Sequence, residues 1–165
     1  MNIKQLFSTL SLTLLIVNCE TTQANTTVSQ NRINERKVRN MQLLKEIKKR
    51  TERDLKKFGI AKVLLSNNGT WEYVGSEYFR FTHNGRVEFL HYGETQLQGV
   101  SYFWKISDNK LFMSLANTPQ DYLQVTVVAT EPGYYDPNGL EKHKYSISIK
   151  SKNNEIDLLL NLIIR

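Results

Sequence analysis

The spacing of apolar residues along the chain changes once, near residue 60. Before that point, one apolar stripe recurs at three- and four-residue steps: Val38, Met41, Leu44, Ile47, Leu55 and Phe58. This period predicts an amphipathic α-helix. We expect the helix to begin at Asn34, a residue that can cap a helix, and to end at Phe58, because Gly59 is a stop signal. Lys48 and Thr51 interrupt the stripe, so it is not a clean coiled-coil seam.

After residue 60, apolar and polar positions alternate, which is typical of half-buried strands. Nine segments are predicted as strands: 61–65, 70–74, 77–83, 86–92, 99–106, 110–116, 122–130, 144–150 and 155–164. Asn84-Gly85 predicts a two-residue hairpin turn, and residues 108–109 and 152–154 are turn-forming as well. Short strands joined in sequence by hairpins indicate an antiparallel meander, curled into a lipocalin-like barrel of about eight strands. The predicted fold class is mainly β, preceded by one long amphipathic basic helix.

The first 24 residues have the pattern of a secretory signal peptide. Lys4 supplies a positive charge, residues 6–17 form a short apolar run, and residues 22–24 (Thr-Gln-Ala) resemble a signal-peptidase site. The apolar run is shorter than the roughly 20 residues that a membrane span needs. We therefore expect residues 1–24 to be removed and the protein to be exported.

A second cleavage site competes with the first. Residues 16–19 (Ile-Val-Asn-Cys) resemble a bacterial lipobox, in which residues 1–18 are removed and Cys19 is lipidated. Lipidation would tether the protein to a membrane without a spanning helix. Both alternatives place the protein outside the cytoplasm, either in the periplasm or lipid-anchored in the cell envelope of a bacterium.

Composition agrees with one ordinary folded domain behind these segments. Hydrophobic residues make up 40% of the 165 residues and charged residues 23%, as in globular proteins. The domain organisation predicted after the signal is a polar, unstructured leader over residues 25–33, the basic helix over 34–58 and the β domain over 60–165.

Positive charge is concentrated on the predicted helix. Residues 32–57 contain eleven Lys or Arg and four acids, a net charge of +7, whereas the whole chain carries +6. Such a helix could lie on anionic lipid. The alternative is a helix packed against the domain with its charged face in solvent, helped by pairs such as Glu46–Arg50. Nucleic acid is not expected as a partner, because export separates the chain from it.

No arrangement of residues predicts catalysis. Cys19 is the only cysteine, so the folded domain has no disulfide, cysteine nucleophile or cysteine zinc site. His83 and His91 are too far apart on their hairpin to share a metal, and His143, in a polar segment, is expected on the surface. Serine-elbow, zinc-protease and phosphate-loop motifs are absent from the sequence. We therefore expect no enzyme activity, no cofactor and no bound metal.

Three consecutive pieces of sequence resemble the bacterial lipocalin-like families. They are Gly69-Thr70-Trp71, the hairpin of residues 78–87 with its Asn-Gly turn, and the hairpin that runs from Gly99 through Tyr102 to Leu111. The resemblance covers about residues 69–115. It implies a calyx-like barrel in which Trp71 plugs one end and the interior holds a small apolar ligand. In a lipocalin proper the long helix follows the barrel, whereas here it precedes it.

Two functions from different classes follow. In the first, the protein is a non-enzymatic envelope or periplasmic binding protein, and Phe81, Tyr102 and Trp104 contact a small apolar ligand inside the barrel. In the second, it is a protein-interaction module, such as an inhibitor or an immunity-type protein against a toxin, and its partner could be an envelope protein. That module would use the long loop 131–141, where Tyr134 and Tyr135 are large amphipathic contact residues.

Overall fold

The structure is a computed structural model that describes residues 3–73, 77–91, 99–133 and 139–164, with side chains for all of these except residues 3–27 and 91. The chain divides into two compact units, Met1–Met41 and Gln42–Arg165. The second unit contains the barrel, the two short helical segments that precede it and the last turns of the long helix, so these turns belong with the barrel.

The long helix, α1, covers Ile3–Phe58. It ends at the predicted residue, but the predicted start at Asn34 is wrong, and residues 25–33 are helical rather than an unstructured leader. The sequence contains no glycine or proline before Gly59, so no strong helix breaker interrupts the helix upstream. Among the residues that the structure describes, no helix is both long and apolar enough to cross a membrane.

The first predicted strand, residues 61–65, is also wrong. Ile60–Leu64 forms a short helix, α2, followed by a 3₁₀ turn over Ser66–Gly69. Val63 and Leu64 are adjacent and both buried, which an alternating strand exposed on one face does not allow. A five-residue apolar run fits either period, and only its packing distinguishes the two.

Eight antiparallel strands form a closed barrel, which confirms the predicted fold class. The strands are β1 (Thr70–Glu72), β2 (Glu77–Phe81), β3 (Arg86–His91), β4 (Gly99–Ser107), β5 (Lys110–Leu115), β6 (Leu123–Ala129), β7 (His143–Ser151) and β8 (Asp157–Ile163). Each strand pairs with the next, and β8 pairs with β1 through Asn161 and Glu72. Among the described residues, each strand therefore has a neighbour on both sides, and β1 and β8 meet at a single residue pair.

Two of the hairpin turns show how local chemistry sets the register. Asp108 and Asn109 both have positive φ angles, 49° and 58°, as the predicted two-residue turn requires. Between β2 and β3, only Gly85 has a positive φ, 78°, and its N–H donates to the Thr82 carbonyl. This turn is therefore longer than the predicted two-residue turn at Asn84-Gly85.

A bulge between β3 and β4 decides which residues of β4 face inward. Val87 lies opposite Tyr102 and Glu88 lies opposite Val100, so Ser101 is the extra residue. Tyr102 therefore faces the interior with Val87, whereas Val100 shares the outer face with Glu88. Simple alternation, which places Val100 and Tyr102 on one face, is wrong here.

The barrel interior between its two ends is filled by large side chains. Seven interior residues have essentially no exposed surface: Val87, Leu111, Met113, Ile147, Ile149, Leu160 and Leu162. Burying one such side chain stabilises the fold by about 1.5–3 kcal/mol. Because no disulfide is available, this packing and the closed hydrogen-bond ladder hold the domain together.

Candidate functional site

The two ends of the barrel are built differently. Strands β1, β3, β5 and β7 begin at the same end, next to α2 and the end of α1, and we call this the helix end. The loops after β1, β3, β5 and β7 lie at the other end, the distal end. Loop residues 74–76 and 92–98 of the distal end are outside the described residues.

Trp71 lies at the helix end. Its side chain has no exposed surface, and its Nε1–H donates a 2.8 Å hydrogen bond to the Leu64 carbonyl. The indole ring stacks on Tyr145, with centroids 6.4 Å apart. Trp71 is thus buried at the end of the barrel next to α2 and is held there by its hydrogen bond to Leu64, while its role as a plug stays a prediction.

Gly69 allows the chain to enter β1 at this end. Its φ is +71°, and a Cβ added there would lie 2.0 Å from the Phe81 carbonyl oxygen. Two backbone segments therefore approach each other where only glycine fits. This close approach sets Trp71, two residues later, against the core.

The face by which α1 docks on the barrel contains only part of the predicted apolar stripe, namely Ile47 and Leu55, together with polar residues. Ile47, Thr51 and Asp54, spaced by four and three residues, are buried, whereas Val38 and Met41 are half exposed. The apolar stripe therefore does not fully predict the buried face of α1, because Thr51, which interrupts the stripe, is completely buried.

Thr51 is buried because it links the helix to β7. Its Oγ1 accepts a hydrogen bond from the Ser146 N–H at 3.2 Å and donates to the Ile47 carbonyl at 2.8 Å. Burying a hydroxyl costs little free energy when it both donates and accepts a hydrogen bond, as Thr51 does. The contact shows that residues 42–58 pack against the barrel. Of the two interpretations of the basic helix, this is the one in which the helix packs on the domain and exposes its charged face to solvent.

Asp54 makes the second polar contact with β7. The Tyr145 hydroxyl donates to Asp54 Oδ2 at 2.8 Å, and Arg53 Nε donates to Oδ1 at 2.9 Å. The hydrogen bond from Arg53 is the main cause that lowers the Asp54 pKa; burial opposes it, and the bond from Tyr145 adds to it. Burial, with the bond to Asp54, raises the pKa of Tyr145 to about 12. At neutral pH the pair is therefore an ionised carboxylate and a neutral phenol. We call Thr51, Asp54, Tyr145 and Ser146 the polar latch.

Two of the three predicted ligand residues lie in the packed interior toward the helix end. Phe81 and Trp104 are 1% and 8% exposed, and their rings meet edge to face at 5.9 Å. Trp104 Nε1–H also donates to the Thr82 carbonyl at 3.2 Å. Both rings therefore contribute to the core, and Trp104 retains only a small exposed area.

The third predicted residue, Tyr102, belongs to a group of rings toward the distal end. Phe79 lies at the centre of this group, 5.3 Å from Tyr73, 5.5 Å from Phe89 and 5.9 Å from Tyr102. Phe79 is buried, while the other three are partly exposed. We call these four residues the aromatic cluster. Burial, with a smaller effect of Tyr73, raises the pKa of Tyr102, so the Tyr102 phenol stays uncharged at neutral pH.

Sequence reasoning missed three members of the aromatic cluster. Phe79 and Phe89 are direct cross-strand partners in the β2–β3 hairpin, so the correct hairpin register would have paired them. Tyr73 lies outside the β1 ladder and carries no such signal. The cluster contains no acid, base or nucleophile, so it offers apolar faces and two phenol hydroxyls rather than reactive groups.

His143 is buried, contrary to the expectation of a surface residue. It is 3% exposed, and its Nδ1 lies 3.4 Å from the Gly139 carbonyl oxygen. Its Nε2 is buried without a hydrogen-bond partner among the described residues. Burial lowers the His143 pKa, and the hydrogen bonds with backbone carbonyls oppose this only in part. Among the described residues, no group of three His, Cys, Asp or Glu side chains could hold a metal ion.

The remaining predicted site residues fall outside the described part of the chain. These are Tyr134 and Tyr135 of the loop 131–141 and the Cys19 side chain. The flanks of the loop are described and pack on the barrel: Leu140 is 1% exposed, and Gly133 lies so close to Leu159 that an added Cβ would be 2.2 Å from its Cδ2.

Comparison with known proteins finds no matching family model, no matching curated protein and no matching solved structure. The resemblance to lipocalin-like families therefore stays a prediction.

Proposed function

We propose that this protein is an exported, non-enzymatic binding protein that holds a small apolar ligand against the aromatic cluster of its barrel. The observation that carries the proposal is the asymmetry of the barrel. The helix end holds the buried Trp71, whereas the distal cluster leaves Tyr73, Phe89 and Tyr102 partly exposed. Partly exposed aromatic rings in mutual contact are typical of small-molecule sites.

The composition of the cluster defines the class of ligand. Its rings present apolar faces, and Tyr73 and Tyr102 each add one phenol hydroxyl. A flat or alicyclic apolar molecule would gain contact area there, and the two hydroxyls would orient one polar group of the ligand. A strongly charged molecule would lose its hydration without finding a countercharge.

Export is supported by the sequence alone, through the signal pattern of residues 1–24. Expression in a bacterium with a competent envelope, followed by intact-mass measurement, tests it. A mass that begins at Asn25 indicates a released protein, and a diacyl or triacyl adduct on Cys19 indicates a lipoprotein. A chain that retains Met1 contradicts export.

Ligand binding is tested with the uncharged fluorescent probe N-phenyl-1-naphthylamine. Phe89→Ala and Tyr102→Leu each remove one ring of the cluster, and Phe112→Ala is the matched control, since Phe112 is a partly exposed ring in β5 on the opposite side of the strand from the buried Leu111 and Met113. We expect saturable binding that weakens by about tenfold in each cluster variant. The control should bind as the parent does.

Two outcomes contradict this proposal. One is the absence of saturable probe binding by a folded parent protein, as judged by circular dichroism. The other is an equal loss of affinity in Phe112→Ala, which would mean that the probe binds the barrel surface. A barrel without a ligand site would favour the protein-interaction module instead.

A further inference from the structure

A cleft of about 600 Å³ lies at the helix end, whereas the aromatic cluster lies toward the distal end. The end of α1, the start of α2 and the β4–β5 turn surround it. Leu55, Ile60 and Ile106 supply its apolar lining, and Lys56 and Lys57 lie at its border with solvent. Its volume lies within the range of about 300–1,000 Å³ found for ligand pockets.

Positive charge gathers around this cleft. Phe58, which lines it, is 43% exposed. The Lys57 ammonium lies 5.0 Å from the centroid of the Phe58 ring and the Lys62 ammonium 5.2 Å from it. Cation–π contacts of this kind hold an ammonium near an apolar surface. No acidic residue is among the described residues that line the cleft.

We propose that this cleft binds one molecule of an anionic amphiphile with a single aliphatic chain, such as a fatty-acid carboxylate. The headgroup pairs with Lys56 and Lys57, and the chain lies against Leu55, Ile60 and Ile106. A cleft lined only by apolar side chains would bind neutral ligands, and a site with lysines alone would bind any small anion. Their combination in one cleft selects a molecule that carries both features.

The site is independent of the aromatic cluster. The two lie at opposite ends of the barrel, and the buried Trp71 and the packed barrel interior lie between them. Binding in the cleft can therefore be present or absent whatever occupies the distal end, and variants in each site separate the two proposals.

The test measures calorimetric binding of dodecanoate, below its micellar concentration, to the full mature protein. K56Q/K57Q removes two charges at the cleft. The matched control K48Q/K49Q removes two exposed charges from the same helix outside it. We expect the dissociation constant to rise about fivefold in the first variant. In the control it should change less than about twofold, because charges that do not contact the ligand are screened.

The chain and the headgroup are tested separately. Across octanoate, decanoate and dodecanoate, affinity should rise by up to about fourfold for each methylene buried. Dodecyl maltoside, with the same chain and no charge, should bind more weakly than dodecanoate and should not respond to K56Q/K57Q. Phe89→Ala should leave dodecanoate affinity unchanged.

Three results would overturn the assignment. Equal weakening in the two double variants would show only a long-range effect of net charge. Loss of dodecanoate binding in Phe89→Ala would place the ligand at the distal end. Binding to anionic phospholipid vesicles without saturable binding of monomeric dodecanoate would make this surface a membrane contact rather than a ligand cleft.

Discussion

The Tyr145 hydroxyl donates a 2.8 Å hydrogen bond to the Asp54 carboxylate, and so joins β7 to a helical residue 91 positions earlier in the chain. Both side chains are buried, at 4% and 6% exposure. This contact and the one between Thr51 and Ser146 fix the last turns of α1 over the barrel. The helix is therefore held by hydrogen bonds at positions that a purely apolar stripe does not include.

The polar latch can be measured by removing one hydroxyl. Tyr145→Phe keeps the ring and its stacking on Trp71 but deletes the bond to the ionised Asp54. Hydrogen bonds to charged groups contribute about 1.5–3 kcal/mol, so the free energy of unfolding in urea should fall by about that amount. Asp157→Asn is the control: it breaks the Lys150–Asp157 pair, whose side chains are 51% and 53% exposed, and such pairs contribute about 0–1 kcal/mol. Equal effects in the two variants would show that the latch does not stabilise the fold.

The close approach at Gly69 predicts a large difference between two glycine substitutions. Gly59 and Gly69 both have positive φ, +81° and +71°, but an added Cβ meets nothing within 4 Å at Gly59 and the Phe81 carbonyl oxygen at 2.0 Å at Gly69. Gly59, with φ 81° and ψ 164°, is in a conformation that other residues rarely adopt, so Gly59→Ala should cost only this backbone strain, about 1–3 kcal/mol. Gly69→Ala adds a clash with β2 and should destabilise the protein much more, measured by the urea midpoint. Similar midpoints for the two variants would mean that the barrel tolerates a shift of β1.

Buried His143 predicts a loss of stability in mild acid. Its pKa in the folded protein is lowered below 6.5, mainly by burial, so the unfolded chain binds a proton more readily than the folded one. The free energy of unfolding should therefore fall as the pH drops through 6.5 and below. This decrease should be smaller in His143→Gln, measured by urea unfolding between pH 7.5 and 5. His83→Gln, at an exposed turn, should keep the parent's pH dependence, and the idea fails if His143→Gln keeps it too.

Trp71 should be a major source of stability at the helix end. Truncating a buried tryptophan to alanine costs about 3–5 kcal/mol, and a domain of this size is stable by only about 5–15 kcal/mol. Trp71→Ala should therefore bring the protein near its unfolding threshold. Trp71→Phe should cost less, since it keeps most of the volume and loses mainly the bond to Leu64. An unchanged denaturant midpoint for Trp71→Ala would show that this residue does not close the barrel.

The sequence by itself determined the order and nature of most elements. Alternation placed the ends of all eight strands within about two residues of their observed positions. The reason is that, in a strand with one buried face, every second side chain points to the core. Asp108 and Asn109 predicted their turn, since both tolerate positive φ. Gly59 predicted the end of α1 for the same local reason. Each of these signals depends on neighbours within a few positions of the chain.

Only the tertiary structure decided which residues meet. Thr51 interrupts the apolar helix face in the sequence and Asp54 is not part of it, but both are buried because β7 supplies an N–H and a hydroxyl that pair with them. The bulge at Ser101 places Val100 on the outer face with Glu88, although alternation alone groups Val100 with the inward-facing Tyr102. Burial of a polar group, or the grouping of four rings from different strands, depends on partners tens of residues away. A periodic pattern records which side of an element is apolar, but it does not record what the opposite element offers.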